Sequence, residues 1–222
     1  MNALAEILGL VTLILGAVGA TMIGRTLLSS SWSDDERTAL ALGLAFMLMG
    51  ENSRAVAQAV AEMGLPFLGL CLGHQLLACA LGGACGPSRV PEIGVMDVIL
   101  TEEGVASTFF DGVDSPMKAL QWHSAEVTQL PENAKVLATS PECAVQAMSW
   151  GPRALSMQFH MEVEADTCAN WAEIPEYAGA LENALGPDGL ARITAACTAE
   201  MAAFNRDAER VYINWLQAAA QV

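Results

Sequence analysis

The stretch "GLPFLGLCLGHQLLACALGG", residues 64–83, places one short apolar run before a cysteine and starts a second apolar run after it. Residues 66–70 are apolar and preceded by a Gly-Leu turn signal, which is typical of a buried strand. Beyond Gly73 the apolar residues recur at helical spacing until a glycine pair ends the pattern. The stretch therefore predicts a strand, a sharp turn at Cys71, and a helix that begins at that turn.

This position favours a reactive thiol. The N-terminus of a helix carries partial positive charge and free N–H groups, so it stabilises a thiolate and an oxyanion formed beside it. Glycines at positions 69 and 73 let the backbone make the tight turn of a nucleophile elbow. The alternative is a buried structural cysteine, which is common in protein cores.

Composition limits the class of protein. With 222 residues, of which 53% are hydrophobic, the chain is long enough for one domain with a full core. The net charge of −15 argues against nucleic acid or an anionic membrane surface as a partner. Six cysteines lie without paired spacing, and we interpret them as reduced thiols of a cytoplasmic protein.

A hydrophobic segment, residues 1–30, precedes the predicted domain at 31–222. Within it, residues 7–24 carry no charge and are long enough for a membrane span, which would give a membrane-anchored protein with a cytoplasmic catalytic domain. The alternative that we favour is a buried strand at 10–15 followed by a helix at 17–28, because glycines punctuate the run.

The rest of the chain predicts an α/β fold. Residues 42–49 read as a buried strand and 53–63 as a helix leading into the elbow, which favours a mostly parallel sheet with flanking helices. A small antiparallel region of short strands is expected beyond Gly83, at 95–100, 119–122, 135–139, 144–149 and 154–159. The final part is helical, with one helix starting at Pro175 and ending at Gly186.

Candidate catalytic partners for the cysteine lie at the end of the last predicted strand. A cysteine nucleophile needs a base within hydrogen-bond reach and a third group that orients the base. His160 follows the run at 154–159, and Glu162 is near enough in sequence to bind the outer ring nitrogen and fix the tautomer. His74 is interpreted as a structural polar residue instead. We predict no metal site, because nothing in the sequence brings the three histidines together.

Three ordered motifs, "GLCLGHQLLACALGG", "WHSAE" and "QFHMEVE", resemble the class I (triad-type) glutamine amidotransferases from about residue 50 to the carboxyl end. The resemblance implies their α/β fold and hydrolysis of the side-chain amide of glutamine through a cysteine thioester. It implies Cys71 as nucleophile, His160 as base and then acid, and Glu162 as the orienting carboxylate. Ammonia would pass to a separate synthetase or other acceptor enzyme.

The same resemblance implies a substrate site. Gln75 would hold the substrate glutamine, and the backbone at Ser124 and Ala125 would contact its amino-acid end. The N–H groups of Leu72 and Gly50 would form the oxyanion hole. No cofactor is expected, and no nucleotide-binding motif indicates a fused ATP-using synthetase. Two alternatives stay open at this point: a γ-glutamyl hydrolase that acts alone, and an inactive glutamine-binding regulatory module.

Overall fold

A computed structural model of the chain describes residue 60 and residues 64–220. Its helices are α1 (Leu72–Ala80), α2 (Glu102–Val105), α3 (Thr167–Ala172), α4 (Pro175–Leu185) and α5 (Gly189–Ala219), with a 3₁₀ turn at Thr108–Phe110. Its strands are β1 (Phe67–Leu70), β2 (Ala84–Leu100), β3 (Met117–Gln129), β4 (Ala134–Thr139), β5 (Ala147–Trp150) and β6 (Ala154–Met157). The elements predicted at 10–15, 17–28 and 42–49, most of the helix predicted at 53–63, the run at 7–24 and Gly50 lie outside the described residues.

The six strands form one sheet in the order β1-β6-β5-β4-β2-β3. Strands β1 and β6 are parallel, with Phe67 opposite Ala154 and Leu70 opposite Met157. The other neighbouring strands in the described part are antiparallel. The α/β class is confirmed, but the sheet is mixed here, whereas we expected it to be mostly parallel. Short turns such as residues 151–153 join successive strands, and a parallel connection would need a longer crossover.

Strand β2 begins well before the predicted run at 95–100. Its first half contains Pro and Gly residues and therefore reads as a turn in the sequence. In the structure this half pairs with β3 through register shifts, one of them between Pro87 and Glu92. Bulges of this kind let a strand continue through residues that interrupt regular pairing.

The long helix α5 covers the sheet with a stripe of buried residues at helical spacing, among them Ile193, Phe204 and Trp215. The indole Nε1–H of Trp215 donates to the carbonyl of Phe67 at 2.9 Å and to that of Arg153 at 3.2 Å. These bonds tie α5 to the parallel pair β1 and β6. The carboxyl ends of those two strands are therefore held side by side, and both lead into the candidate site.

Between residues 64 and 220, none of the helices is both long and apolar enough to cross a lipid bilayer.

Candidate active site

Cys71 lies on the turn between β1 and α1, with φ 49° and ψ −104°. A positive φ is strained for a residue with a side chain and persists only where its surroundings enforce it. The Cys71 N–H donates to the Met157 carbonyl at 2.8 Å, which fixes the turn to the end of β6. A Cβ on Gly69 would lie 2.8 Å from the carbonyl oxygen of Gly73, so the turn requires glycine there. The strand, turn and helix predicted from residues 64–83 are thus all present.

His160 and Glu162 form a hydrogen-bonded pair. Nδ1 of His160 lies 2.5 Å from Oε1 of Glu162, while Oε2 accepts the N–H of Met161 at 3.0 Å. The His160 ring also makes an edge-to-face contact with Trp171, with ring centroids 4.7 Å apart. Because Nδ1 is bound by the carboxylate, Nε2 is the ring nitrogen that remains to exchange a proton with the nucleophile.

The charges of this cluster stabilise one another. Burial lowers the pKa of His160, but the charge of Glu162 and the hydrogen bond and charge of Cys71 outweigh it and raise that pKa to about 10. Burial also raises the pKa of Glu162, but the positive charge and hydrogen bond of His160 outweigh it, so the pKa of Glu162 is lowered. At neutral pH the imidazolium and the carboxylate are therefore both charged, and a cation faces the Cys71 sulfur.

Gln158 joins this cluster, and the sequence analysis missed it. Its Nε2 donates to Cys71 Sγ at 3.6 Å, and its Oε1 accepts Nε2–H of Gln75 at 2.9 Å. Side chains two residues apart in an extended chain face the same side. The position of Gln158 two residues before His160 was therefore the signal that could have found it.

The predicted substrate-site residues come together in part. Nε2 of Gln75 donates to the Ala125 carbonyl at 3.0 Å, so the first and second motifs are in contact. Pro87, which lies opposite Ala125 in β2, has no N–H to offer that carbonyl. Ser124 is exposed, and Leu72 starts α1 with its side chain outward.

Two aromatic residues border the site without any local signal in the sequence. Trp171 on α3 contacts His160. Tyr177 on α4 lies close enough to the nucleophile that, after burial, the charge of Cys71 contributes to raising its pKa. Both reach the site only because α3 and α4 fold back against β3, where Trp122 contacts both rings.

His74 is structural rather than reactive in its surroundings. It is fully buried, with Nε2 3.0 Å from the Val145 carbonyl and Nδ1 2.9 Å from the Ser156 hydroxyl. A carbonyl only accepts, so Nε2 carries the hydrogen and Nδ1 accepts from the hydroxyl. Burial is the main reason that the pKa of His74 is lowered to about 4.

Comparison with known proteins places this geometry in context. The family model of glutamine amidotransferase class-I matches residues 42–169. The GMP synthase (glutamine-hydrolyzing) of Clostridium novyi (strain NT) is 35% identical over 116 residues, which are 52% of this chain but only 22% of that protein. A separately encoded GMP synthase (glutamine-hydrolyzing) subunit of Thermococcus kodakarensis is 33% identical over 129 residues, covering 55% of this chain and 67% of that protein.

Solved structures agree in fold. A glutamine amidotransferase from Methylobacillus flagellatus matches with a TM-score of 0.64 and 25% identity, over 74% of this chain and 68% of that one. A glutamine amidotransferase from Thermotoga maritima matches with a TM-score of 0.66 over 78% of this chain and 71% of that one, at 24% identity, and this likeness concerns the fold alone.

The buried His74 predicts a specific dependence of stability on pH. Its pKa is about 4 in the folded protein and 6.5 ordinarily, so the unfolded chain binds more protons between those values and the free energy of unfolding falls as pH drops from 6.5 to 4. The full effect is about 3 kcal/mol. His160 does not contribute in this window, because its pKa is raised and its contribution is complete below its ordinary value.

The measurement is urea unfolding at a series of pH values for the wild-type protein and His74→Gln, which keeps a donor and an acceptor but gains no proton. We expect the variant to lose less stability than the wild type between pH 6.5 and 4. Equal losses in the two proteins would contradict this account of His74.

Proposed function

Because the chain belongs to the glutamine amidotransferase class-I family, we propose that it hydrolyses the side-chain amide of glutamine to glutamate and ammonia. The observation that carries the proposal is the placement of Cys71 on a strained turn at the N-terminus of α1, beside the hydrogen-bonded pair of His160 and Glu162. We assign Cys71 as the nucleophile, His160 as the proton carrier and Glu162 as the carboxylate that orients it.

In the first step the Cys71 thiolate attacks the amide carbon of the substrate, and the carbonyl electron pair moves to the oxygen. The resulting oxyanion lies at the start of α1, where the free N–H of Leu72 and the helix dipole favour negative charge. Gly50 would supply a second N–H by the same family assignment. The carbon–nitrogen bond then breaks as His160 donates its proton, and ammonia leaves a γ-glutamyl thioester.

The second step needs His160 in its neutral form. The negative charge of Cys71 is one of the reasons that the pKa of His160 is raised, and acylation removes that charge. The pKa of His160 therefore falls when the thioester forms, and the ring becomes able to take a proton from water. Water attacks the thioester carbon, glutamate leaves, and the imidazolium and thiolate are restored.

The substrate contacts follow from how the neighbouring amides are used. Both N–H groups of Gln75 are directed to Ala125 and Gln158, so Oε1 of Gln75 is the atom that remains to bind an N–H of the substrate glutamine. We assign the backbone at Ser124 and Ala125 to the amino-acid end of the substrate. Gln158 donates to Cys71 Sγ and so holds the sulfur in the attacking position.

We further propose that the ammonia is used by a separate acceptor enzyme, such as a synthetase. The support is the similarity to the Thermococcus kodakarensis relative, which is itself named as one subunit of a glutamine-hydrolyzing GMP synthase. A cytoplasmic location fits the cysteines, because all six are free thiols and two of them, Cys168 and Cys197, lie with their sulfurs 3.5 Å apart without a bond.

Replacing the nucleophile should abolish ammonia release from glutamine. We expect Cys71→Ala to lose activity by several orders of magnitude while remaining folded, because no other group can form the thioester. Cys79→Ala is the matched control: Cys79 is an exposed thiol two turns along the same helix. Full activity in Cys71→Ala, or labelling of Cys79 in place of Cys71 by a glutamine-analogue alkylator, would overturn the assignment.

The carboxylate is tested by a pair of neighbouring glutamates. Glu162 binds the His160 ring, whereas Glu164 is exposed. Glu162→Gln should lower kcat for ammonia release clearly, with some activity remaining, because the loss of an orienting group costs less than the loss of the nucleophile or base. Glu164→Gln should leave kcat within about twofold of wild type, since surface changes away from a site have small effects. A larger loss in Glu164→Gln would show that the wrong carboxylate was assigned.

A further inference from the structure

A second cluster of reactive side chains lies away from Cys71. Glu92, His123 and Cys143 are all buried, and each brings one ligand atom within 4.8 Å of the others. Glu92 and His123 are opposite one another in β2 and β3. Cys143 belongs to the connection between β4 and β5. Three separate parts of the sheet therefore meet at one point.

The hydrogen bonds of His123 leave one nitrogen unexplained. Its Nδ1 lies 3.1 Å from the Ala125 carbonyl, and since a carbonyl only accepts, Nδ1 carries the hydrogen. Its Nε2 is buried, lies 3.2 Å from Oε2 of Glu92, and has no hydrogen-bond partner within the described part of the chain. A neutral ring thus turns its lone pair toward a carboxylate oxygen, which is repulsive unless a cation lies between them.

The carboxylate of Glu92 is held in place from its other side. Oε1 accepts the hydroxyl of Ser140 at 2.7 Å, and Oε2 accepts Nε2–H of Gln146 at 2.8 Å. Carboxylates that bind metal ions are oriented by outer hydrogen bonds in this way. The position of the carboxylate next to the bare His123 nitrogen is therefore fixed rather than adaptable.

Cys143 supplies a third donor of a different kind. Its side chain is 1% exposed, and burial is the main reason that its pKa is raised to about 12. The charges of Glu126 and Glu92 act in the same direction. A divalent cation would reverse this electrostatic situation, because it displaces the thiol proton and neutralises the carboxylates around the sulfur.

We propose that Glu92, His123 and Cys143 bind a divalent cation of the zinc class. A set of one oxygen, one nitrogen and one sulfur suits a borderline-soft ion and does not suit magnesium or calcium. Tetrahedral bonds to such an ion hold the donor atoms about 3.3 to 3.8 Å apart, so the cluster needs to contract by about 1 Å. Glu126 is the fourth ligand, since its Oε2 is buried without a hydrogen-bond partner among the described residues and its charge acts on Cys143.

The ion would have a structural consequence for the site described above. It would link β2, β3 and the β4–β5 connection, and it would fix His123, which binds the Ala125 carbonyl that also accepts from Gln75. The proposal does not depend on the hydrolysis of glutamine, because it rests on the donor set alone.

The test is cobalt(II) binding to full-length protein that carries Cys71→Ala, so that the proposed nucleophile cannot bind the metal. After removal of metal with a chelator, we expect one cobalt per chain by elemental analysis and a thiolate-to-cobalt charge-transfer absorption in the near ultraviolet. Adding Cys143→Ala should abolish that absorption. Adding Cys168→Ala, which removes another buried thiol, should leave it intact. Zinc should displace the cobalt and remove the absorption.

A second variant keeps the test decisive if Cys143→Ala does not fold. Glu92→Gln retains the size and hydrogen-bonding capacity of the side chain but removes its charge, and it should weaken cobalt binding about tenfold or more while circular dichroism stays unchanged. Failure of the Cys71→Ala protein to bind cobalt, or an absorption that depends on Cys168 rather than Cys143, would overturn the proposal. Neither readout uses enzymatic activity, so the result is independent of the proposed function.

Discussion

The hydrogen bond from the Cys71 N–H to the Met157 carbonyl, 2.8 Å long, is the contact on which the candidate site depends. It continues the parallel pairing of β1 and β6 by one residue beyond the strand ends. The chain that follows β1 turns sharply into α1, and the chain that follows β6 carries Gln158 and His160. One backbone contact therefore places the thiol, its amide donor and its proton carrier together, although these residues are far apart in the sequence.

The three histidines show how neighbours decide what one residue type can do. His74 is kept neutral by burial and by partners that suit a neutral ring. His160 is equally buried, but the carboxylate of Glu162 and the sulfur of Cys71 favour its charged form. His123 faces a carboxylate with a nitrogen that makes no hydrogen bond among the described residues. A charged, a neutral and a metal-binding role thus follow from burial and partner charge.

The parts of this structure that the sequence predicted are the local ones. The strand, turn and helix around Cys71 are encoded in residues 64–83 by spacing and by two glycines, and the pairing of His160 with Glu162 is encoded by a separation of two residues. Sheet direction depends on which strands meet, so the mixed sheet differed from the mostly parallel one that we expected. Trp171, Tyr177 and the cluster around Glu92 come from distant segments, and no local pattern announced them.

The central claim is that Cys71 forms a covalent intermediate with glutamine. The most direct test is to mix the protein with glutamine, stop the reaction with acid within the first turnover, and analyse the peptides by mass spectrometry. The account predicts a γ-glutamyl group on the peptide that contains Cys71, absent when glutamate replaces glutamine. Release of ammonia with Cys71 left unmodified at every time point, or a γ-glutamyl group on another cysteine, would contradict it.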